Sequence, residues 1–221
     1  MKKTLSDCFR GANQNPQWAP LQETIKDFLL TSEPLERIIT GVEGDLKPVR
    51  FKKFSDLHRY ALRVAGGPGL ASMEIFGFKD QPHRDYAENL GVFLQIVNMV
   101  RDFKEDRALG RQYFPLEDFR KFHLNPADIG DRDSAWKSFI EFQLARAWSF
   151  LEKARRSLSL RQRAVLPTAE SIAAVYVKLH QRLLGQPDLI LEGKISLSPA
   201  DKLLSVLGAA GRCLIWKWME K

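Results

Sequence analysis

Asp102 and Asp106 stand four residues apart in the stretch NMVRDFKEDRALGRQYFP, close to where a long helical pattern closes at Gly110. On a helix, residues four apart share a face, and Asn98 extends the same stripe one turn back. Gln95 and Arg101 flank it. The place is unfavourable for acids. Two like charges at that spacing cost about 0.2–0.5 kcal/mol, and carboxylates near a helix C-terminus lose about 0.3–1 kcal/mol each against the macrodipole. Something cationic must offset this. Arg101, Lys104 and Arg107 are near enough in sequence to do so, which would make the stretch a solvated helix end of mixed charge. A divalent cation is the other reading. Mg²⁺ typically takes one or two carboxylates and completes its shell with water and phosphate oxygens. The preceding turns, GVFLQIVNMV, are apolar, so Gln95 and Asn98 face an interior where amides need partners. Spacing alone leaves both readings open, because D-x-x-x-D arises often by chance.

The elements that must carry these residues read as helices nearly throughout. PLQETIKDFLL (20–30) places Leu21, Ile25, Phe28 and Leu29 on one face. A short helix fits 33–46, with Pro34 in its first turn. Ser55 or Asp56 can cap a third over 55–65, which GGPG (66–69) should kink or break before helical sequence resumes at 70–78. The segment from about Arg84 to Leu109 is the longest continuous helical signal. A short helix follows at 115–122, then long amphipathic ones at 133–158, 166–185 and 198–221. Short extended pieces fit only near 48–53 and 189–196. The expected fold is all-α, with long helices packed side by side.

The bulk numbers bound the function. The 221 residues are 44% apolar, enough for one substantial core. Lys and Arg outnumber Asp and Glu 34 to 27, a surplus that suits phosphate-bearing partners. No zinc-knuckle, helix-turn-helix or RNA-binding signature accompanies it, so nucleic acid is not an expected partner. Cys8 and Cys213 match no metal or redox spacing and read as reduced thiols of a cytoplasmic protein. The N-terminus has no signal-peptide core, and no apolar run approaches the ~18 residues of a spanning helix. The chain is expected to be soluble, or peripheral to a membrane. Trp216 and Trp218 beside Arg212, Lys217 and Lys221 suit such an interface, although core packing and a solvated terminus account for them as well.

The string YAENLGVFLQIVNMVRDFKEDRALGRQYFPLEDF (86–119) closely resembles the second aspartate-rich motif of the squalene/phytoene synthase family. Gln95, Asn98, Arg101, Asp102, Asp106, Gly110, Arg111, Tyr113 and Pro115 all fall in register. LHRYALRVAGGPGLASMEIFG (57–77) looks like the family's tyrosine helix leading into a Val-Ala-Gly break. Asp45, Tyr176 and the segment 193–204 add to the likeness, which runs from about Trp18 to Leu207. Pro68 departs from it, where an apolar residue is usual.

The resemblance implies an isoprenoid-synthase-type bundle and a head-to-head prenyl transferase using two allylic prenyl diphosphates. Mg²⁺ is the implied cofactor, held by Asn98, Asp102 and Asp106. NADPH is not indicated by any motif. Tyr60, Asp102 and Asp106 would be catalytic. Asp45, Ala65, Gly66, Gly69, Gln95, Arg101, Arg111, Tyr113 and Tyr176 would bind substrate. Taken without the resemblance, Tyr60 and Tyr176 read as core tyrosines, the glycines as a backbone break and Asp45 as a surface acid. The family's first aspartate-rich motif has no counterpart here; the acidic i, i+4 pair Glu23/Asp27 lies on a helix the family does not use for metal. The expectation is therefore a bundle without its N-terminal helices: an unplaced segment over 1–17 and a family domain over 18–221. Its open side would accept a partner chain. A relative that kept the fold and serves as a non-catalytic assembly or scaffold protein is the alternative.

Overall fold

The computed structural model describes residues 1–46, 49–129, 134–193 and 195–219. Among these the chain is helical throughout. It runs α1 (Lys2–Phe9), α2 (Ala19–Asp27), α3 (Ser32–Asp45), α4 (Phe54–Ala61), α5 (Gly67–Ile75), α6 (Gln81–Arg101), α7 (Phe103–Ala108) and α8 (Leu116–Lys121). It continues with α9 (Ser134–Ser157), α10 (Leu160–Ala164), α11 (Pro167–Gly185), α12 (Leu189–Glu192) and α13 (Pro199–Met219). The only β-like pairings among the described residues are isolated bridges, one joining Arg50 to Gln112. Of the two stretches expected to be extended, 49–53 contributes one bridge and 189–192 is helical, while 48 and 194 lie outside the described residues.

Helix α6 is the axle. Eleven of its 21 residues are buried, so it is apolar on most sides, as a central helix must be. It packs most extensively on α9, and α5 and α11 flank it. Trp136, Phe139, Phe119 and Phe114 form the aromatic base of the core, with the Phe119 and Phe139 rings stacked at 4.7 Å. Two buried ion pairs brace it. Arg163 grips Glu170 with two 2.8 Å bonds while the Tyr86 hydroxyl donates to the same carboxylate. Arg146 and Gln143 likewise hold Asp118.

Four local features differ from the periodic reading. Helix α2 stops at Asp27, which leaves Phe28 and Leu29 exposed. Leu29 turns left-handed (φ 51°), and the Leu30 N–H bonds back to the Ile25 carbonyl at 3.0 Å. This is a Schellman closure, and it turns Leu30 into the core. GGPG does not break its helix. The chain widens into a π-helical turn over Leu62–Gly66 and runs directly into α5, where Pro68 occupies the first turn and needs no N–H partner. The cap of α4 is also different: Lys53 is the N-cap residue, and Asp56 accepts its backbone N–H. Finally, the helix expected to run to Leu109 departs from helical geometry at Asp102 (φ −96°, ψ 10°), which separates α6 from α7.

Small residues let the layers close. A Cβ on Gly91 of α6 would lie 2.8 Å from the Ala65 carbonyl, and one on Gly41 of α3 would lie 2.6 Å from Val64. The π turn is therefore clamped between two helices by backbone approach.

Candidate active site

Ala65, Gly69, Gln95, Asn98 and Tyr176 line one cavity of about 340 Å³ between the π turn, α5, α6 and α11. Most of its remaining wall is apolar, including Met73, Phe76, Leu90 and Ile172. Gly66 does not line it; this buried glycine packs against the Glu88 backbone of α6. The cavity changes character at Asn98, whose Oδ1 accepts the Tyr176 hydroxyl at 3.0 Å.

Beyond Asn98 the polar groups continue without a gap. Tyr176 also stands close to Arg101, and Arg101 grips both oxygens of Asp102 at 2.7 and 2.5 Å. Neighbouring residues do not normally face each other on a helix. The departure from helical geometry at Asp102 is where this pair forms. Asp106 lies one turn on, its N–H bonded to the Asp102 carbonyl at 2.9 Å. Its nearest ion-pair partner is Arg111, at 3.8 Å. Lys104 and Arg107 do not neutralise the acids: each bonds a backbone carbonyl, of Glu192 and Ala127 respectively.

Asp106 is the electrostatically uncomfortable member. Burial pushes its carboxyl up to about 6, and the charge of Asp102 adds to this, with Glu105 and Asp45 in the same direction and Arg111 opposing. A half-buried acid held among acids gains from a nearby cation.

Asp45, Tyr60 and Tyr113 form the opposite bank. The Tyr60 hydroxyl lies 2.9 and 3.0 Å from the two Asp45 oxygens, and the Tyr113 hydroxyl donates to Asp45 at 3.3 Å. The two phenol rings stack at 5.3 Å, with Phe51 against both. Burial, then the Tyr113 hydrogen bond and Asp45, hold the Tyr60 phenol protonated far above its ordinary range. Tyr113 reaches this place because its loop is laced to 49–51: Gln112 N–H bonds Val49 and Leu116 N–H bonds Phe51. Periodicity could not supply that pairing, since both segments are non-helical. Thr168 and Ile172 also line the cavity, two turns and one turn before Tyr176 on α11, and that i, i+4 spacing is the sequence signal for them.

All thirteen sequence-derived residues therefore lie around this cavity or its polar end, with Gly66 behind the wall. Among the described residues no group of three or more His, Cys, Asp or Glu side chains forms a metal cage. Mg²⁺ does not require one. Two carboxylates of hard oxygen chemistry, one of them raised by its neighbours, suit an ion whose remaining shell is water and phosphate.

The squalene/phytoene synthase family model matches residues 1–201. The chain belongs to the squalene/phytoene synthase family. This family match takes in residues 1–17, and so lends no support to an N-terminal segment outside the family or to absent N-terminal helices. The chain is 30% identical to a chloroplastic phytoene synthase of an Oncidium hybrid cultivar over 226 residues, covering 98% of the chain and 55% of the relative. It is 33% identical to the 15-cis-phytoene synthase of Synechocystis over 171 residues, covering 71% and 51%. The chain thus spans about half the length of these curated relatives. Two solved structures share the fold. The squalene synthase HpnC from Alicyclobacillus acidocaldarius superposes with a TM-score of 0.67 at 24% identity, over 97% of this chain and 70% of that one. A dehydrosqualene synthase in complex with a ligand gives 0.75 at 20%, over 95% and 75%. The all-α isoprenoid-synthase-like bundle of this family member is established on both counts. No described helix is long and apolar enough to cross a membrane.

Proposed function

We propose that this chain binds allylic prenyl diphosphates and takes part in their Mg²⁺-dependent head-to-head condensation. One observation carries the reading: an apolar cavity ends, at Asn98 and Tyr176, on a chain of polar groups that leads to two closely spaced carboxylates. A prenyl tail suits the first part and a metal-bound diphosphate the second.

Asp102 and Asp106 would hold Mg²⁺, with Asn98 beside them. The ion supplies positive charge to a diphosphate leaving group. Arg101 and Arg111 stand beside the same acids and would neutralise phosphate oxygens. Loss of diphosphate from one substrate leaves an allylic cation. Its C1 bonds to the double bond of the second substrate, and loss of a proton closes a cyclopropane ring. Tyr60, locked by Asp45 with its phenol protonated, presents oxygen lone pairs and a ring face to that cation without becoming an anion that would trap it. The walls formed by Ala65, Gly69, Met73 and Leu90 exclude water, which would otherwise quench the cation.

One observation favours the alternative, a non-catalytic relative. Both Asp102 oxygens already carry the Arg101 guanidinium, an arrangement that serves structure as well as metal binding. Incubation with geranylgeranyl or farnesyl diphosphate and Mg²⁺ separates the two. The enzyme reading expects diphosphate release that disappears in Asp102→Ala. Tight binding of a partner chain with no turnover in either protein supports the scaffold and overturns the enzyme.

A further inference from the structure

A second cavity, of about 480 Å³, lies between the C-terminal end of α9, α11 and α13. It belongs to the opposite side of α11. At 100° per residue, the active-site residues Thr168, Ala169, Ile172 and Tyr176 cluster on one face, and Glu170, Ala174, Val177, Lys178 and Gln181 on the reverse.

Its charge is one-sided. Arg155 comes from α9, Arg163 from α10, Lys178 from α11 and Arg212 from α13. The one acidic lining residue is Glu170, and its oxygens are already engaged by Arg163 and the Tyr86 hydroxyl. Arg155, Lys178 and Arg212 form no ion pair among the described residues; Arg155 lies 5.8 Å from the Trp148 ring centroid and within electrostatic reach of Glu170, which opposes the neighbouring cations. Half-buried Arg155 faces Arg163 and Arg212, and burial together with these like charges pulls its guanidinium below the ordinary range. The Arg212 guanidinium lies beside Gly208, where a Cβ would be in ordinary contact with it at 3.7 Å. The rim is apolar: Val177, Leu204 and the Trp216 ring, which stacks under Arg163 at 4.8 Å.

From this cluster of cations around a cavity with one neutralised acid, we infer an anion site for a phosphate monoester or diphosphate group, distinct from the substrate site across α11. Arg155, Lys178 and Arg212 would supply the charge-assisted hydrogen bonds, and the Trp216 and Leu204 rim would accommodate the organic part. A soluble phosphorylated metabolite and an anionic lipid headgroup share this chemistry.

Calorimetric titration with inorganic pyrophosphate in EDTA tests it, because without divalent ions Asp102 and Asp106 repel an anion at the substrate site and leave only Arg101 and Arg111 to attract it. Wild type and Asp106→Ala should bind alike. Arg155→Gln, and separately the exposed double variant Lys178→Ala/Arg212→Ala, should each weaken binding at least ten-fold, with circular dichroism verifying the fold. Two of these three side chains are exposed and none has an ion-pair partner among the described residues, so removal breaks no salt bridge there. Cosedimentation with phosphatidic acid vesicles, but not phosphatidylcholine vesicles, that pyrophosphate competes away would assign the anion to a lipid headgroup. Pyrophosphate binding without cosedimentation would assign it to a soluble compound. No pyrophosphate binding at ~1 mM, binding untouched by both variants, or binding lost in Asp106→Ala would overturn the inference.

Discussion

Asp118 and Asp106 are both shielded carboxylates in one helical bundle, and they are treated in opposite ways. Asp118 receives Arg146 on both oxygens and the Gln143 amide as well, so its charge is compensated from within the protein. Among the described residues Asp106 has one ion-pair partner, Arg111 at 3.8 Å, and burial with the nearby charges of Asp102, Glu105 and Asp45 raises its carboxyl to about 6. The fold therefore holds one acid for stability and carries the other at a cost. The metal-bound diphosphate proposed above would supply a reason for that cost.

The difference can be attacked from either side. The largest effect should come from Arg146→Ala, which strands Asp118: loss of about 3–5 kcal/mol in urea unfolding is expected. A loss under ~1 kcal/mol would mean that Asp118 is not braced in the way described.

Asp106→Asn should do the reverse. A carboxyl whose folded pKa is raised stabilises the protein only while protonated, so the native state weakens as pH climbs from the unfolded value towards about 6. The amide removes this penalty. A gain of about 1–3 kcal/mol is expected at pH 7.5, shrinking to nothing near pH 4. A loss of stability at pH 7.5 would place Asp106 with Asp118 as a structural acid.

Smaller again is Arg111→Ala. Its partly exposed guanidinium at 3.8 Å should contribute only ~0.5 kcal/mol to stability. The Asp106 pKa, followed by carboxyl NMR, should nonetheless move upward, because the cation that opposes its rise is gone. An unmoved pKa would show that burial alone sets it.

Helical periodicity made much of this legible beforehand. The apolar turns of α6 belong to one helix and can be read from its own sequence, and the spacing Asn98–Asp102–Asp106 survives the break because α7 resumes directly after Asp102. The departures arise where a distant partner decides. Leu29 turns left-handed to deliver Leu30 to the core. The π turn over Leu62–Gly66 is set by backbone contact with Gly91, a glycine twenty-five residues beyond Gly66. Arg101 reaches Asp102 where helical geometry lapses between them and α7. The Asp45–Tyr60–Tyr113 cluster joins three separate segments through the pairing of 49–51 with 112–116, and no spacing rule within any one of them encodes that.

The account rests on Asp106 awaiting a divalent ion and a diphosphate, and Mn²⁺ binding followed by electron paramagnetic resonance, with a non-ionisable thio-diphosphate analogue present, measures this directly. Saturable Mn²⁺ uptake is expected at pH 8. It should weaken as pH falls through about 6, where the proton competes for the carboxylate, and be lost in Asp106→Asn. Uptake that is equally strong in Asp106→Asn, or absent at every pH in the wild type, would contradict it.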